Sequence, residues 1–64
     1  MSDNKFSLFV SKDNQIVEEF YDLSENRAMK ISMDKLYENG KLVPSTSITM
    51  RHITDGIVFS ANNP

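Results

Sequence analysis

The chain contains no cysteine and one histidine, His52, so it can form no disulfide and offers few of the ligands that a zinc site needs. Small domains often compensate for a limited hydrophobic core with disulfides, a bound metal or self-association. A chain of 64 residues buries only about 60 % of its unfolded surface. Because the first two devices are absent, the sequence predicts a homodimer without a cofactor.

The sequence also lacks a large excess of either positive or negative charge. Seven Lys and Arg stand against nine Asp and Glu, for a net charge of −2, and no basic block is available for a phosphate backbone. No apolar run approaches the ~18 residues of a membrane-spanning helix, and the start Met1–Lys5 lacks the pattern of a signal peptide. We therefore expect a cytoplasmic protein that enters no membrane, and nucleic acid is not the expected partner.

Glycine occurs only at positions 40 and 56, so the chain has no glycine-rich loop that could hold a phosphate group. By contrast, the chain has enough large apolar residues to form a folded core. Leu, Ile, Val and Phe make up 17 of the 64 residues, above the ~20 % below which chains tend to stay disordered. The length allows one domain, and we expect residues 1–64 to fold as a single unit.

Two apolar segments near the start of the chain predict a hairpin. Phe6–Ser11 and Ile16–Tyr21 are rich in aromatic and β-branched residues, and the stretch between them is polar. A three-residue loop would place five apolar side chains on the core-facing side of this hairpin: Phe6, Leu8, Val10, Ile16 and Phe20. The opposite face would then carry Phe9, Val17 and Tyr21.

A helix is predicted over residues 24–38. Its start offers two N-cap candidates, Asp22 with Glu25 in the capping-box position and Ser24 as the alternative, and Asn39-Gly40 supplies a C-terminal stop. On a helical wheel the core-facing side centres on Met29, Met33 and Leu36, with Ala28 and Tyr37 at its edges. The opposite side of the wheel is charged and contains Arg27, Lys30, Asp34, Lys35 and Glu38.

The last third of the chain predicts a second hairpin. Asp55-Gly56 separates the strand-like segments Ser47–Thr54 and Ile57–Ser60, and Asp-Gly is favoured in type I′ turns, where both central residues need a positive φ. In the corresponding register the core-facing side carries Ile48, Met50, His52, Ile57, Phe59 and Ala61. His52 then lies opposite Phe59, and the tail 62–64 is expected to fray.

Together these elements predict an α+β fold in the order ββαββ, with a four-stranded antiparallel sheet and one helix packed on one face. One helix cannot cover both faces of a sheet, so apolar side chains on the other face need a different partner. A symmetric dimer would bury them. The predicted dimer interface consists of Phe9, Val17, Tyr21, Ile53 and Val58.

Ile31 is an exception on the charged side of the predicted helix. It lies about 160° from the core-facing side, and its neighbours on the wheel are Arg27, Lys30, Asp34 and Lys35. An apolar centre with a polar rim is typical of a modest binding patch, so these five residues form the predicted partner-binding site. The alternative is an isoleucine tolerated at the surface.

No group of residues in the sequence has the spacing of a catalytic site. A single histidine such as His52, on an apolar strand face, more often packs there than binds a metal or a substrate. Glu18 and Glu19 point to opposite faces of a strand, with Glu18 on the core-facing side, so they cannot act as an acid–base pair on one bond. We therefore expect a protein that is not an enzyme and has no catalytic residue.

The leading functional hypothesis is a protein–protein interaction module, specifically a small homodimeric accessory, immunity or inhibitor-type protein. One alternative is a nucleic-acid-associated regulator, which an ordered basic patch across the dimer would favour. Another is a small-ligand binder or enzyme whose site is built at the dimer interface from His52 and Arg51.

Overall fold

The computed structural model describes residues 4–64, so Met1–Asp3, on which the signal-peptide argument partly depends, lie outside the described residues. Four strands form one antiparallel sheet in the order β2-β1-β5-β6, and two short strands, β3 and β4, form a separate hairpin. The elements are β1 (Phe6–Lys12), β2 (Gln15–Leu23), α1 (Glu25–Leu36), β3 (Tyr37–Glu38), β4 (Lys41–Leu42), β5 (Thr46–His52) and β6 (Gly56–Asn62). The α+β class with one helix and a four-stranded antiparallel sheet is confirmed, whereas the predicted order ββαββ omits the β3–β4 hairpin.

The core lies between α1 and one face of the large sheet. In the central strands β1 and β5, buried residues alternate with residues that are only partly buried. This period of two is expected when one face of a strand meets the core and the other does not. The buried apolar residues are Phe6, Leu8, Val10, Leu23, Ala28, Leu36, Ile48 and Met50.

The start of α1 agrees with the sequence prediction, and its end does not. Ser24 is the N-cap, and its hydroxyl accepts a hydrogen bond from the backbone N–H of Arg27 at 3.2 Å. The helix ends at Leu36 because Tyr37 adopts an extended backbone and begins β3. Asn39-Gly40 has φ angles of 53° and 79°, the pair of positive angles that a type I′ turn requires. This dipeptide therefore closes the β3–β4 hairpin and does not cap the helix.

The side of α1 that packs on the sheet also differs from the predicted one. Its buried residues are Ala28, Ser32 and Leu36. Ile31 is partly buried and packs against the core, while Met29 and Met33 are 42 % and 55 % exposed. The helix is therefore rotated by roughly 70° from its predicted orientation, because Leu36 stays on the packed side while the other two contacts move by one residue. The wheel favoured the larger apolar side chains, whereas the packed side uses small ones that let the helix approach the sheet.

Ser32 shows how a polar residue is accommodated on the packed side of α1. Its side chain is 2 % exposed, and its hydroxyl donates a hydrogen bond to the carbonyl oxygen of Ala28 at 2.7 Å. A buried hydroxyl with such a partner carries little of the cost of an unsatisfied polar group. The predicted wheel did not assign Ser32 to either side, because it placed only apolar residues on the core-facing side.

The β1–β2 hairpin has a two-residue turn, so the predicted three-residue loop is wrong. Asp13-Asn14 has φ angles of 54° and 66°, which fits a type I′ turn. The shorter loop places Ile16 opposite Ser11, on the face away from α1, where it is 59 % exposed. A register shift follows in β2, and Phe20 lies opposite Leu8 on the helix-facing side as predicted.

Glu18 lies on the helix-facing side of β2, opposite Val10, as the sequence predicted. Its Oε1 atom is 2.6 Å from the Nζ atom of Lys35 on α1. The same Nζ atom lies 5.9 Å from the centroid of the Phe20 ring, within the range of a cation–π contact. The ion pair and the ring contact together connect the helix to the β2 edge.

The turn of the β5–β6 hairpin is not the predicted type I′ turn. Three residues, Ile53–Asp55, separate the strands, and His52 pairs with Gly56. Gly56 has a φ of 78°, so its predicted positive φ is confirmed, but Asp55 does not have one. A three-residue loop closed by a glycine in the left-handed region is the next most common hairpin connection.

The register of the β5–β6 hairpin differs as a consequence. Phe59 lies opposite Met50 and not opposite His52. A register shift then places Ile57 opposite Arg51, on the face away from α1. Ile57, which was predicted to face the core, is 65 % exposed.

The end of the chain is anchored, so the predicted frayed tail is wrong. Asn63 is 9 % exposed, and its side-chain amide donates hydrogen bonds to the carbonyl oxygens of Leu36 at 2.9 Å and Val43 at 3.1 Å. Its backbone N–H donates to the carbonyl oxygen of Thr46 at 2.8 Å. One asparagine thus joins the end of β6 to the last turn of α1 and to the segment that follows β4.

Candidate functional site

The outer face of the sheet, which we define as the face away from α1, carries an aromatic pair. Phe9 on β1 and Tyr21 on β2 make an edge-to-face contact with ring centroids 5.8 Å apart and an interplanar angle of 84°. They line an open depression of about 320 Å³, which we call the outer hollow. The side chains that give the outer hollow its character are Lys5, Phe9, Tyr21, Asp22, Arg51 and Ile53.

The outer hollow arises from the alternation of β1. Buried Leu8 and Val10 point toward α1, so Phe9 between them points to the outer face. Phe9 is paired with Thr49 on β5, a short polar residue that leaves the ring partly accessible. Because the single helix of the described residues packs on the other face, the aromatic pair lies on an uncovered surface.

Two acidic groups lie beside the aromatic pair. The Tyr21 hydroxyl donates a hydrogen bond to the carboxylate of Glu19, two residues away on the same face. This hydrogen bond, then desolvation and the negative charge of Glu19 raise the pKa of Tyr21 above its ordinary value of 10.0. Asp22 also lines the outer hollow, so its cationic residues Lys5 and Arg51 face nearby negative charge.

His52 has a structural role in the β5–β6 turn. Its Nδ1 atom accepts hydrogen bonds from the backbone N–H groups of Thr54 at 3.2 Å and Asp55 at 3.4 Å. The imidazole ring also makes an edge contact with Phe6 at 4.9 Å between centroids. His52 and Arg51, from which a ligand-binding or enzyme site at a dimer interface would be built, both border the outer hollow. The imidazole, however, is turned into the hairpin loop.

A second exposed apolar surface runs along β6, on the opposite side of the molecule from β2. We call it the β6 patch, and it spans both faces of the edge: Met29, Met33, Val58 and Phe59 lie on the helix side, and Ile57 lies on the outer face. All five side chains are between 41 % and 65 % exposed. Sequence reasoning missed this surface because it assigned four of the five to the core.

The predicted partner-binding site around Ile31 is not present as an exposed patch. Ile31 is partly buried against the core, so its predicted solvent-facing position is wrong. Lys35 is engaged with Glu18 on β2. The remaining members are exposed charged residues of α1, without an apolar centre: Arg27, Lys30 and Asp34. The rotation of the helix is the physical reason for this difference.

The predicted dimer interface is divided among separate parts of the surface. Phe9, Tyr21 and Ile53 meet at the outer hollow. Val17 borders Lys35 at the β2 edge, and Val58 borders Met29 at the β6 edge, both on the helix side. The register shifts in β2 and β6 explain why these two valines leave the common outer face that the sequence predicted.

Residues 4–64 contain no group of three or more His, Asp or Glu placed to hold a metal ion. The same residues contain no helix long and apolar enough to span a membrane. No family model, curated protein or solved structure matches the chain. The geometry of the two exposed surfaces is therefore the basis for a functional proposal.

Proposed function

We propose that this protein is a non-enzymatic protein-binding module, a small cytoplasmic homodimer of the accessory, immunity or inhibitor type. The observation that carries the proposal is the Phe9–Tyr21 pair on the uncovered face of the sheet. With Tyr21 56 % and Ile53 78 % exposed, this surface resembles the unburied half of an interface more than an ordinary monomer surface.

The composition of the outer hollow supports a protein as its partner. Aromatic residues and arginine are enriched at protein–protein interfaces, and tyrosine provides a large contact area at a low cost in side-chain entropy. The hollow combines Tyr21 and Ile53 with Arg51. A partner segment with one apolar anchor and one acidic group would match these features.

The charges argue for a protein partner over a nucleic acid. Exposed aromatic rings on a sheet can stack bases, but such surfaces also carry a positive field that attracts the backbone. Here Lys5 and Arg51 are balanced by Asp22 and by Glu19, which is bonded to Tyr21. The formal net charge of −2 offers no compensating attraction elsewhere.

A random-peptide display library provides a direct test. Peptides selected on the wild-type protein are measured against Tyr21→Ser and Ile53→Ser, with Ile16→Ser as the control. Ile16 is as exposed as Tyr21 but does not line the outer hollow. We expect a loss of at least about tenfold in affinity for the two hollow variants and none for the control.

Two outcomes would contradict this proposal. In the first, the selected peptides bind the hollow variants and the wild type equally well. In the second, a labelled DNA duplex or single-stranded oligonucleotide binds more tightly than ~10⁻⁶ M at ~150 mM salt, beyond the range of non-specific contacts. That result would favour the nucleic-acid-associated regulator.

A further inference from the structure

We infer that β6 is the strand through which two copies of this chain associate, so that their sheets join into one eight-stranded antiparallel sheet. The inference rests on the homodimer in the proposed function and identifies its surface. It assigns dimerisation to the β6 patch and leaves the outer hollow free for another protein.

The uncovered edge of β6 is the first step of the argument. Among residues 4–64, no loop or terminus donates a backbone hydrogen bond to residues 57–61 from outside the sheet. The strand Gly56–Asn62 contains no charged residue and no proline. Exposed edge strands are usually protected by charge, proline or a covering element. The one protective feature of β6 is the register shift near Ile57, and residues 59–62 beyond it pair regularly with β5 and present an open edge.

The edge strand β2 differs in each of these respects. It contains Glu18, Glu19 and Asp22, and its pairing with β1 has two register shifts. Antiparallel pairing of β2 with its own copy would bring several carboxylates together. Pairing of β6 with its own copy brings no charged side chain of the strand near another, so a two-fold interface at β6 is self-compatible.

The helix supplies the second layer of the interface. α1 packs over β1 and β5 and approaches the β6 side only at its two ends, because Met29 near its start shares a depression with Val58 and Phe59, and Leu36 at its end accepts a hydrogen bond from Asn63. Met33 lies one helical turn beyond Met29 on the same side of α1. Two copies joined antiparallel at β6 would therefore carry both helices on the same face of the joined sheet, with Met29 and Met33 of each copy turned toward the joined strands, and methionine adapts readily to contacts of this kind.

The exposed area of the β6 patch is a large part of the area that a stable dimer buries. If a fully exposed large side chain presents about 200 Å², the five members of the patch present about 500 Å² per copy at their exposed fractions of 41 % to 65 %. A standard interface takes about 800 Å² from each partner. The patch supplies more than half of this area before the backbone and polar side chains of β6 are counted.

Sedimentation equilibrium with a matched pair of variants tests the inference. The dipeptide Ile57-Val58 on β6 recurs as Ile16-Val17 on β2, with similar exposure. We expect the wild type and the Ile16→Lys/Val17→Lys control to have twice the chain mass of 7.3 kDa at micromolar concentration. The Ile57→Lys/Val58→Lys variant should have the mass of one chain and a folded circular-dichroism spectrum.

The possible failures are distinguishable. A wild type that remains a monomer up to millimolar concentration would overturn the homodimer itself, whereas a dimeric Ile57→Lys/Val58→Lys variant would overturn only the assignment to β6. Peptide binding at the outer hollow, measured on the same variant, tests the protein-binding function separately. Retained binding by the monomeric variant would place dimerisation and peptide binding on different surfaces.

Hydrogen exchange on the wild type decides the question without a substitution, including the case in which the β6 variant does not fold. We expect amides of residues 57–62 to exchange more slowly at micromolar concentration, where the dimer forms, than at a dilution at which sedimentation velocity finds the monomer, while amides of residues 16–22 are unchanged. Protection that does not depend on concentration, or that increases at β2 instead, would overturn the inference.

Discussion

The helix closes the β2 side of the molecule and leaves the β6 side open. On the β2 side, Ile31 packs against the core and Lys35 pairs with Glu18. On the β6 side, the corresponding positions of α1 are Met29 and Met33, both substantially exposed. Both methionines of α1 therefore lie largely outside the protomer core, on the side where β6 forms the open edge of the sheet.

The difference between the buried and the exposed side of α1 is tested most directly by placing a carboxylate on each. Ile31→Asp would put a charge into a partly buried site and should lower the free energy of unfolding by about 2–4 kcal/mol. Met33→Asp at the exposed side should change it by no more than ~0.5 kcal/mol. Chemical denaturation of both variants measures the difference, under conditions where sedimentation finds both monomeric.

Equal effects of the two substitutions would show that α1 has no closed and open side. A loss of folded signal for Met33→Asp alone would place the methionines in the core, where the helical wheel predicted them. The substitution at position 31 thus also decides between the two orientations of the helix.

The next largest loss of stability is expected for a substitution at the end of β6, where Asn63 links the open side to α1. Asn63→Ala removes two hydrogen bonds to buried carbonyl groups and should cost about 1–3 kcal/mol. Leu36 retains the hydrogen bond from the backbone N–H of Val43, which limits the loss. The exposed neighbour Asn62 provides the control, since Asn62→Ala should change stability by less than ~0.5 kcal/mol.

Thermal or urea unfolding of the two asparagine variants measures this difference. Equal stabilities would mean that the tail frays, as the sequence suggested. In that case β6 would have no anchor at its C-terminal end, and the β6 side would be flexible as well as open.

A smaller loss of stability is expected for a substitution at the start of β6, where Gly56 closes the turn. Its φ of 78° lies in the left-handed region, and an added Cβ would meet no atom within 4 Å, so the cost of a substitution is conformational and not steric crowding. Gly56→Val should destabilise the protein by at least ~1 kcal/mol. Gly56→Asn should cost less, because asparagine tolerates this region. Identical melting temperatures for both variants and the wild type would contradict the described turn.

The sequence predicted the features that depend on local pattern. The four long strands, the Ser24 cap and the positive φ of Gly56 follow from alternation, capping and turn preferences. The orientation of α1 could not be predicted in this way, because it depends on Ala28 and Ser32 fitting closely against the sheet. Hydrophobicity alone favours methionine at those contacts.

The exposed surfaces were predicted less well, because their positions depend on register. Phe9 and Tyr21 were assigned correctly to the outer face: Phe9 lies between buried Leu8 and Val10, and Tyr21 contacts its ring. Ile57 and Val58 were misplaced because a single register shift in β6 changes the face of the residues beyond it. Such a shift has no reliable signature in one sequence.

The smallest expected effect concerns the β2 side, where acidic residues form local contacts that β6 lacks. The hydrogen bond to Glu19 raises the pKa of Tyr21, so the phenol should stay protonated to a higher pH than its ordinary 10.0. In a Tyr37→Phe background, Tyr21 is the only tyrosine, and ultraviolet absorbance follows its ionisation. Glu19→Gln removes the charge and should return the midpoint toward the ordinary value.

A pKa that is higher in the folded than in the unfolded protein means that the protonated phenol stabilises the fold. Any stability difference between the two proteins should therefore be present below pH 10.0 and disappear as the pH rises through the raised pKa. Coincident titration curves would mean that Glu19 does not hold the hydroxyl in solution, which would leave the Glu18–Lys35 ion pair as the one side-chain contact made by an acidic residue of β2 in the described residues.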